Sequence, residues 1–337
     1  MVNFVSTLNR EIMAGYTIPL PADTQTTLKE PLRGKHPADT AGQAVPRKKR
    51  ALFIPASIRS YIIPTLYLAD RLADEYDIYY AVTNPVLADI VSENGYIPVM
   101  NDSFRIAVGM EQSFLLSKKR KAGFWQVLRS VCNNEVYRHR KQVLDELMAR
   151  LQPDVVLIDI FSSTDYLALY DYRENVRLVF CNPMLSTYRV GNLPIVSEDN
   201  WPQSAPIPKK PATFSLKGLI RNPRAELYGA AMRYQWRKLQ EIIGLSDEYK
   251  VIETPFTRLF ANVPELLLAP LEFELSPEVR QPNQHYLGLC IQEGRTDTEL
   301  DPDFVRQWPA ILARKQAGEP IFIAVSVHST PVPTGRY

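Results

Sequence analysis

The sequence predicts an α/β protein built on a doubly wound parallel sheet with helices on both faces. Short apolar runs of strand type recur along the chain, and an amphipathic helical segment separates most of them from the next run. The early runs are continuously apolar, as expected for strands that are buried on both faces of a sheet. A length of 337 residues with 23% charged residues is typical of a globular protein with one large or two ordinary domains.

Five strands are predicted before residue 182. After the first of them, the loop 56–63 leads into a helix that we expect to begin at Pro64, where a missing N–H group costs nothing. After the second, Asn84 caps a helix that Pro85 opens, and Gly95 ends it. The resulting β-α-β-α-β order predicts parallel neighbours. The five strands are predicted at residues 51–55, 77–83, 96–100, 154–161 and 177–181.

The remaining elements follow with less regular spacing. A long helical stretch is predicted at 104–151, and a proline-rich loop at 201–211. A strand at 320–325 follows the last predicted helix, and twelve residues remain after it. Further helices are predicted at about 163–171, 215–246 and 303–316, and further strands at 265–269 and 285–289.

The composition excludes several classes of function. A net charge of +2 gives no reason to propose a nucleic acid or an anionic membrane as a partner. The three cysteines are far apart, so neither a disulfide framework nor a zinc site is indicated, and a reducing, cytoplasmic location fits best. The first residues lack an apolar h-region, so no secretory signal is expected. No apolar run approaches the roughly 18 residues that a membrane span needs.

Two strand ends carry the polar groups that we single out. In doubly wound sheets, ligands bind outside the carboxyl ends of the strands. The first strand is followed by Ser60 and Tyr61, and the fourth predicted strand contains Asp159, an acid that is costly to bury unless it is paired. Asp159 has either a functional role or a structural one, in which it holds a loop backbone. The sequence contains neither of the nucleotide-binding patterns G-x-G-x-x-G and G-x-x-x-x-G-K-[ST]. It also lacks the hydrolase motif G-x-S-x-G and the metalloprotease motif H-E-x-x-H, and its four histidines are scattered.

The order of segments resembles the acceptor half of a GT-B glycosyltransferase, of the UDP-glycosyltransferase and macrolide glycosyltransferase type. The resemblance covers about residues 50–330 and implies a Rossmann-like acceptor domain. The matching pieces are LFIPASIRSYIIPTLYLADRL at 52–72, DVVLIDIF at 154–161, HYLGL at 285–289 and GEPIFIAVSV at 318–327.

The resemblance also implies roles for individual residues. In these enzymes a histidine three residues before a loop proline takes the proton of the acceptor hydroxyl, and a later aspartate orients it. Pro64 matches that proline, so Tyr61 stands at the histidine position with Ser60 before it, and Asp159 matches the orienting acid. A phenol with a pKa near 10 is a poor base at neutral pH. Asp159 and Tyr61 are expected to face one cleft. A hydrogen bond between their side chains there would be structural and would not support sugar transfer.

Three regions are expected along the chain. Residues 1–49 are polar and lack sustained periodicity, so they are expected to form a flexible N-terminal lead. The resemblance implies that 50–280 form the acceptor-binding domain. Residues 281–337 are expected to hold the interdomain crossover and the first strand of a C-terminally truncated donor domain. Because the base position and the donor half both depart from the family pattern, this chain alone is expected to be inactive.

Within the acceptor domain, the segment 104–130 is where such folds line the acceptor pocket. Phe114 and Trp125, together with Phe104 and Phe124, are candidates for its apolar walls, and ordinary core packing is the alternative.

The expected family reaction is transfer of a hexose from a UDP-sugar to a hydroxylated lipophilic small molecule, with inversion. The UDP-sugar is a co-substrate, and no metal or other cofactor is expected. The sequence does not indicate an oligomeric state. A second hypothesis is a non-catalytic small-molecule-binding or regulatory protein that uses the same cleft. A third is an unrelated Rossmann-like protein in which the match of the first loop is a coincidence.

Overall fold

A computed structural model describes residues 48–188, 220–249, 251–253, 258–274, 281–290 and 302–319. Contacts divide the chain into two units, one made of residues 46–295 and the other of residues 1–45 with 296–337. The predicted lead before residue 48, the proline-rich loop and the strand at 320–325 lie outside the described residues.

The described residues contain nine strands, seven of which form one parallel sheet in the order β3-β2-β1-β4-β5-β8-β9. This confirms the predicted fold class. The remaining two strands, β6 and β7, form a short antiparallel pair that the sequence analysis missed, because three residues are too few to show a periodicity. The strands are β1 Lys49–Ile54, β2 Tyr76–Val82, β3 Ile97–Met100, β4 Val155–Asp159, β5 Arg177–Asn182, β6 Val251–Glu253, β7 Arg258–Phe260, β8 Glu265–Leu267 and β9 Gln284–Tyr286.

Helices connect the parallel strands, and short 3-10 turns follow β4 and the helix after it. The helix near the end of the chain belongs to the second unit. The α-helices are α1 Arg59–Leu72, α2 Pro85–Glu93, α3 Glu111–Ser117, α4 Phe124–Cys132, α5 Glu135–Leu151, α6 Asp165–Leu169, α7 Pro223–Ile243 and α8 Pro302–Gln316.

The sheet separates two apolar layers because successive strand residues point to opposite faces. On one face, Phe53 and Leu157 pack with Leu66 of α1. On the other face, Ile54 and Leu144 belong to the larger cluster, which includes residues of α5, α6 and α7. Both faces are therefore covered, which explains why the strands read as continuous apolar runs.

The strand order reverses between β1 and β4. β1 pairs with β2 on one side and with β4 on the other, so the connections that leave these two neighbours run in opposite directions along the sheet. In a doubly wound sheet, the crevice outside the carboxyl ends of two such strands is the usual ligand site. The fold therefore directs attention to the residues that follow Ile54 and Asp159.

The first helix begins earlier than predicted. α1 starts at Arg59, and Pro64 lies inside it rather than at its first position. The N–H group that Pro64 lacks would have bonded the carbonyl group of Ser60. Because Ser60 is exposed, water can replace that bond and the helix can extend toward the strand. Tyr61 consequently lies in the first turn of a helix and not in a loop.

Two other predictions were too long. β4 ends at Asp159, whose side chain accepts a hydrogen bond from the Phe161 N–H group and so starts a 3-10 turn. The helical stretch 104–151 is divided into α3, α4 and α5. Ala107 and Asn134, with φ angles of 55° and 53°, have left-handed backbone conformations that no helix can continue through.

A buried polar pair joins α3 to α7. Gln235 donates through Nε2 to Oε1 of Glu111 at 3.0 Å, and both residues are fully buried. Glu111 Oε2 and Gln235 Oε1 have no hydrogen-bond partner in the described structure. Burial raises the pKa of Glu111, while the hydrogen bond from Gln235 opposes that shift. Protonated Glu111 would have a donor to offer, whereas ionised Glu111 has none.

We expect Glu111→Gln to raise the free energy of unfolding at pH 8 by about 1–3 kcal/mol, because it removes a buried charge and supplies a donor for an unpaired oxygen. The wild-type carboxyl has a raised pKa when folded, so its contribution to stability falls as pH rises above the ordinary range of a glutamate. The gain should therefore shrink at pH 5. Urea denaturation at both pH values measures it, with exposed Glu241→Gln as the control. A loss of stability at pH 8 would contradict this interpretation.

Candidate functional site

Tyr61 lies at the carboxyl ends of β1 and β4, where the first turn of α1 places it. Its ring meets the edge of the Phe161 ring at 5.1 Å between centroids. Its hydroxyl donates to the sulfur of Met184, which follows β5, at 3.0 Å. Burial raises the pKa of Tyr61 well above its ordinary value, and the charge of Asp159 adds to that shift. The phenol therefore keeps its proton at neutral pH.

Asp159 is the other predicted residue at this position, and only 2% of its surface is exposed. Its carboxyl accepts the N–H group of Phe161 at 2.8 Å, and the N–H group of Ala56, two residues after β1, lies near enough to lower its pKa. The second oxygen, Oδ2, has no partner among the described residues. Burial raises the pKa of Asp159 to about 7, against the opposing effects of the two N–H groups and of Arg105. The carboxyl thus titrates close to neutrality.

The structure brings Tyr61 and Asp159 into one neighbourhood, as expected from the shared edge of parallel strands. It does not join them by a hydrogen bond, because the Tyr61 hydroxyl donates to Met184 instead. The interaction between them is electrostatic, and it acts through the charge that Asp159 carries when ionised. Asp159 holds the loop backbone at Phe161, which is the structural role that the sequence left open, and its Oδ2 atom has no partner among the described residues.

A group of charged side chains extends from this position along the same edge of the sheet. Arg105 donates to the carbonyl group of Phe161 at 2.9 Å and lies close to the carboxyl groups of Asp159 and Asp165. Burial lowers the pKa of Arg105, and the two carboxyl groups oppose that shift. Arg105 therefore places a positive charge near Asp159 that favours the ionised form of that carboxyl.

Arg140 and Asp165 form a buried ion pair at the centre of the group. Arg140 donates through Nε to Oδ1 of Asp165 at 2.9 Å and through Nη2 to Oδ2 at 2.5 Å. Its third nitrogen, Nη1, reaches Asn101 Oδ1 at 2.9 Å and Asp102 Oδ1 at 3.2 Å. Asp165 is fully buried and Arg140 is 3% exposed. This two-point geometry is the arrangement in which a buried carboxylate is best satisfied.

The group ends at His139, whose Nε2 lies 2.7 Å from Oδ2 of Asp102. The sequence analysis treated the four histidines as scattered and missed this pair. One signal was available, because Asn101 and Asp102 directly follow β3 and thus occupy the same edge as Asp159. The partner could not be recognised, since nothing in the spacing shows which face of α5 turns toward that edge.

The structure places the predicted pocket residues in different surroundings. Phe114 is buried, and its ring packs against those of Phe104 at 5.4 Å and His139 at 5.2 Å. Trp125 is 68% exposed on α4, where its ring meets that of Phe124 at 5.2 Å. Ser60 is exposed in the first turn of α1. Phe114 thus belongs to the neighbourhood of the charged group, while Trp125 lies on the surface.

The chemistry of the site is that of a proton acceptor beside apolar rings. An Asp159 carboxyl that titrates near neutrality can accept a hydrogen bond, or a proton, from a hydroxyl group. In the described parts of the chain, no cluster of three or more His, Cys, Asp or Glu side chains is arranged to hold a metal ion. The helices in those parts include none that is long and apolar enough to cross a membrane.

No protein-family model and no curated protein matches the sequence. Solved structures that match part of this chain include three glycosyltransferases. The glycotransferase of kitacinnamycin has a TM-score of 0.45 at 16% identity, over 76% of this chain and 55% of that one. CalG4, the calicheamicin glycosyltransferase, has a TM-score of 0.41 at 16% identity, over the same two shares.

The third structure, SsfS6 from Streptomyces sp. SF2575, has a TM-score of 0.40 at 13% identity, over 80% of this chain and 64% of that one. This chain therefore spans 55–64% of the length of these three glycosyltransferases.

Proposed function

We propose that this chain is the acceptor-binding part of a GT-B glycosyltransferase and holds a hydroxylated lipophilic small molecule at the carboxyl ends of β1 and β4. The unpaired Oδ2 atom of buried Asp159, at the point where the strand order reverses, is the observation that carries the proposal. A carboxylate oxygen can only accept, so it fits an O–H donor. The rings of Tyr61 and Phe161 supply apolar surface beside it.

The reaction that we propose for the complete enzyme is transfer of a hexose from a UDP-sugar with inversion. A base takes the proton of the acceptor hydroxyl, the resulting oxygen attacks the anomeric carbon, and UDP leaves with the electron pair of the broken bond. The UDP-sugar is the co-substrate, and the proposal needs no metal. Residues 50–280 serve as the acceptor domain, and 281–337 lead toward the donor half. Three free thiols support a reducing, cytoplasmic location.

Tyr61 supports a further part of the proposal, that this chain binds an acceptor without transferring sugar to it. It stands where the family resemblance places the base, yet burial and Asp159 raise the pKa of its phenol. Loss of a general base typically lowers the rate by a factor of roughly 10²–10⁴. The same observation favours the second candidate function, a non-catalytic binding or regulatory protein that uses the same cleft. The two candidates differ in whether the site serves a reaction.

Binding measurements test the acceptor site directly. We expect saturable binding of one or more members of a panel of phenols and macrolide aglycones to the wild-type chain at pH 8. Asp159→Asn replaces the free acceptor oxygen with a donor, and it should weaken binding about tenfold or more, since a hydrogen bond to a charged group contributes about 1.5–3 kcal/mol. Asp89→Asn, an exposed change on α2, should leave binding unaltered. An Asp159→Asn variant with wild-type affinity would refute the site.

A transfer assay separates the two candidate functions. With UDP-glucose and the same panel, the wild-type chain should yield no glycoside. Tyr61→His introduces a base with a pKa near neutrality at the position of the phenol. In the family that the chain resembles, the donor half holds the UDP-sugar, so Tyr61→His alone should also yield no glycoside. Tyr61→His with a donor half fused after Val325 should yield product if the chain serves an enzyme, and none if it is a binding protein. Product formed by the wild-type chain would contradict the role that we give to Tyr61.

A further inference from the structure

His139 and Asp102 form a pair that the proposed acceptor site does not yet use. His139 Nε2 lies 2.7 Å from Asp102 Oδ2, and Asp102 is held in turn by two other groups. The Phe104 N–H group donates to its Oδ1 at 3.1 Å, and Arg140 Nη1 donates to the same oxygen at 3.2 Å. Asp102 is thus fixed from the backbone and from a buried arginine.

This pairing decides which nitrogen of the His139 ring carries the proton. The carboxylate of Asp102 can only accept, so Nε2 of a neutral His139 must be the donor. The other nitrogen, Nδ1, then carries a lone pair. Among the described residues, Nδ1 has no hydrogen-bond partner. The pair therefore presents a fixed acceptor atom, in the same way that an aspartate orients a catalytic histidine.

The surroundings of His139 combine apolar rings with access to solvent. Its ring centroid lies 5.2 Å from that of Phe114 and 6.0 Å from that of Phe104. The His139 side chain nevertheless remains 21% exposed. A ligand that lies against the half-buried Phe104 ring can remove apolar surface from water and reach a polar atom at its border.

The charged groups around the pair are engaged with one another. Arg105 and Arg140 carry positive charge, and Asp102, Asp159 and Asp165 carry the opposite charge when ionised. The arginines are engaged with carboxyl, amide or carbonyl oxygens. The remaining free atom, Nδ1 of His139, can only accept when its ring is neutral, so it suits a neutral hydroxyl donor.

We propose that His139 is a specificity-determining residue for hydroxylated ligands. Its Nδ1 accepts a hydrogen bond from a phenolic or alcoholic hydroxyl of a lipophilic molecule that lies against the Phe104 ring. The inference rests on the proposed function, because it assumes that the chain binds such molecules. It adds the residue that distinguishes a hydroxyl group from an ether, and it assigns Asp102 as the residue that sets the tautomer.

The first test compares 2-naphthol with 2-methoxynaphthalene in fluorescence titrations. The wild-type chain should prefer 2-naphthol, and His139→Phe should lower that preference about fivefold, the measured effect of one neutral hydrogen bond. The affinity for 2-methoxynaphthalene should persist, because phenylalanine keeps the ring contacts. His285→Phe, at an exposed position on β9, is the matched control and should keep the wild-type preference.

The second test determines directly which nitrogen of His139 carries the proton. Nitrogen-15 NMR of the wild-type imidazoles should show His139 with its proton on Nε2. Asp102→Asn brings an amide donor to Nε2, which should move the proton to Nδ1 and abolish the preference for 2-naphthol. Because this spectrum is recorded on the wild-type protein, it determines the tautomer of His139 even if the His139→Phe variant does not fold.

The outcomes separate this inference from the proposed function. Two results overturn the inference: a wild-type His139 with its proton on Nδ1, or a His139→Phe variant that keeps the preference for 2-naphthol. In either case, binding that is weakened by Asp159→Asn still upholds the proposed function. If the wild-type chain binds neither naphthalene probe nor any aglycone of the panel, the proposed function fails and this inference fails with it.

Discussion

Replacing Arg140 with methionine is expected to lower the free energy of unfolding by about 3–5 kcal/mol, because the change leaves a buried carboxylate without its partner. Asp165 is fully buried, and both of its oxygens accept from the Arg140 guanidinium. Methionine retains the apolar stem of the arginine, so the lost interaction is chiefly the charge pair and its hydrogen bonds. The loss also releases Asn101 and Asp102 from the same guanidinium.

Urea denaturation at pH 7 measures this effect. Arg150→Met is a matched control on the same helix, where an exposed arginine near the last turn should change stability by about 0.5 kcal/mol or less. The double variant Arg140→Met with Asp165→Leu removes both charges and should recover much of the loss, since a buried ion pair stabilises little beyond an apolar pair of similar volume. The two variants differ only in which arginine is replaced. If their free energies of unfolding lie within about 1 kcal/mol of each other, the expected loss of roughly 3–5 kcal/mol for Arg140→Met is contradicted.

Asp159 is expected to make the wild-type protein less stable as pH rises from about 4 to about 7. The pKa of its carboxyl is raised from 3.8 to about 7 in the folded state, chiefly by burial. Between those values the unfolded chain releases a proton that the folded chain retains, so stability is highest at the acidic end and falls until the folded pKa is passed. The decline amounts to about 4 kcal/mol, at roughly 1.4 kcal/mol for each unit of pKa.

The Asp159→Asn variant isolates this contribution. Asparagine keeps the oxygen that accepts the Phe161 N–H group but cannot ionise, so the decline assigned to Asp159 should disappear. The free energies of unfolding of the wild-type and variant proteins should converge near pH 4 and differ most near pH 8. Asp89→Asn, on the exposed side of α2, should follow the wild-type curve. Parallel wild-type and Asp159→Asn curves between pH 4 and pH 8 would show that the carboxyl is not buried as described.

The two effects bear on function in opposite ways. The Arg140–Asp165 pair anchors the residues that hold His139, so its loss should disturb both stability and ligand preference. Asp159, by contrast, lowers stability at neutral pH while keeping an oxygen unpaired. A group that is costly to the fold and placed where ligands usually bind is a candidate for a role in binding. A loss of binding in the more stable Asp159→Asn variant would therefore not result from unfolding.

The sequence by itself determined the layers of the fold and the position of the candidate site along the chain. The five early strands lie within a few residues of their predicted bounds, because a continuous apolar run between helical segments is a local property of the chain. The nearness of Tyr61 to Asp159 was also predictable, since the carboxyl ends of parallel strands share one edge. What local patterns missed was the early start of α1, where the exposure of Ser60 lets a helix tolerate Pro64.

Only the tertiary structure decided which side chains meet. Met184, which accepts the hydrogen bond of Tyr61, is 123 residues away in sequence, and His139 and Asp102 are 37 residues apart on different elements. Such pairs depend on how each helix is rotated and seated on the sheet, which is set by packing of the whole apolar layer and not by any short segment. The raised pKa of Asp159 has the same origin, because burial by distant residues shifts it.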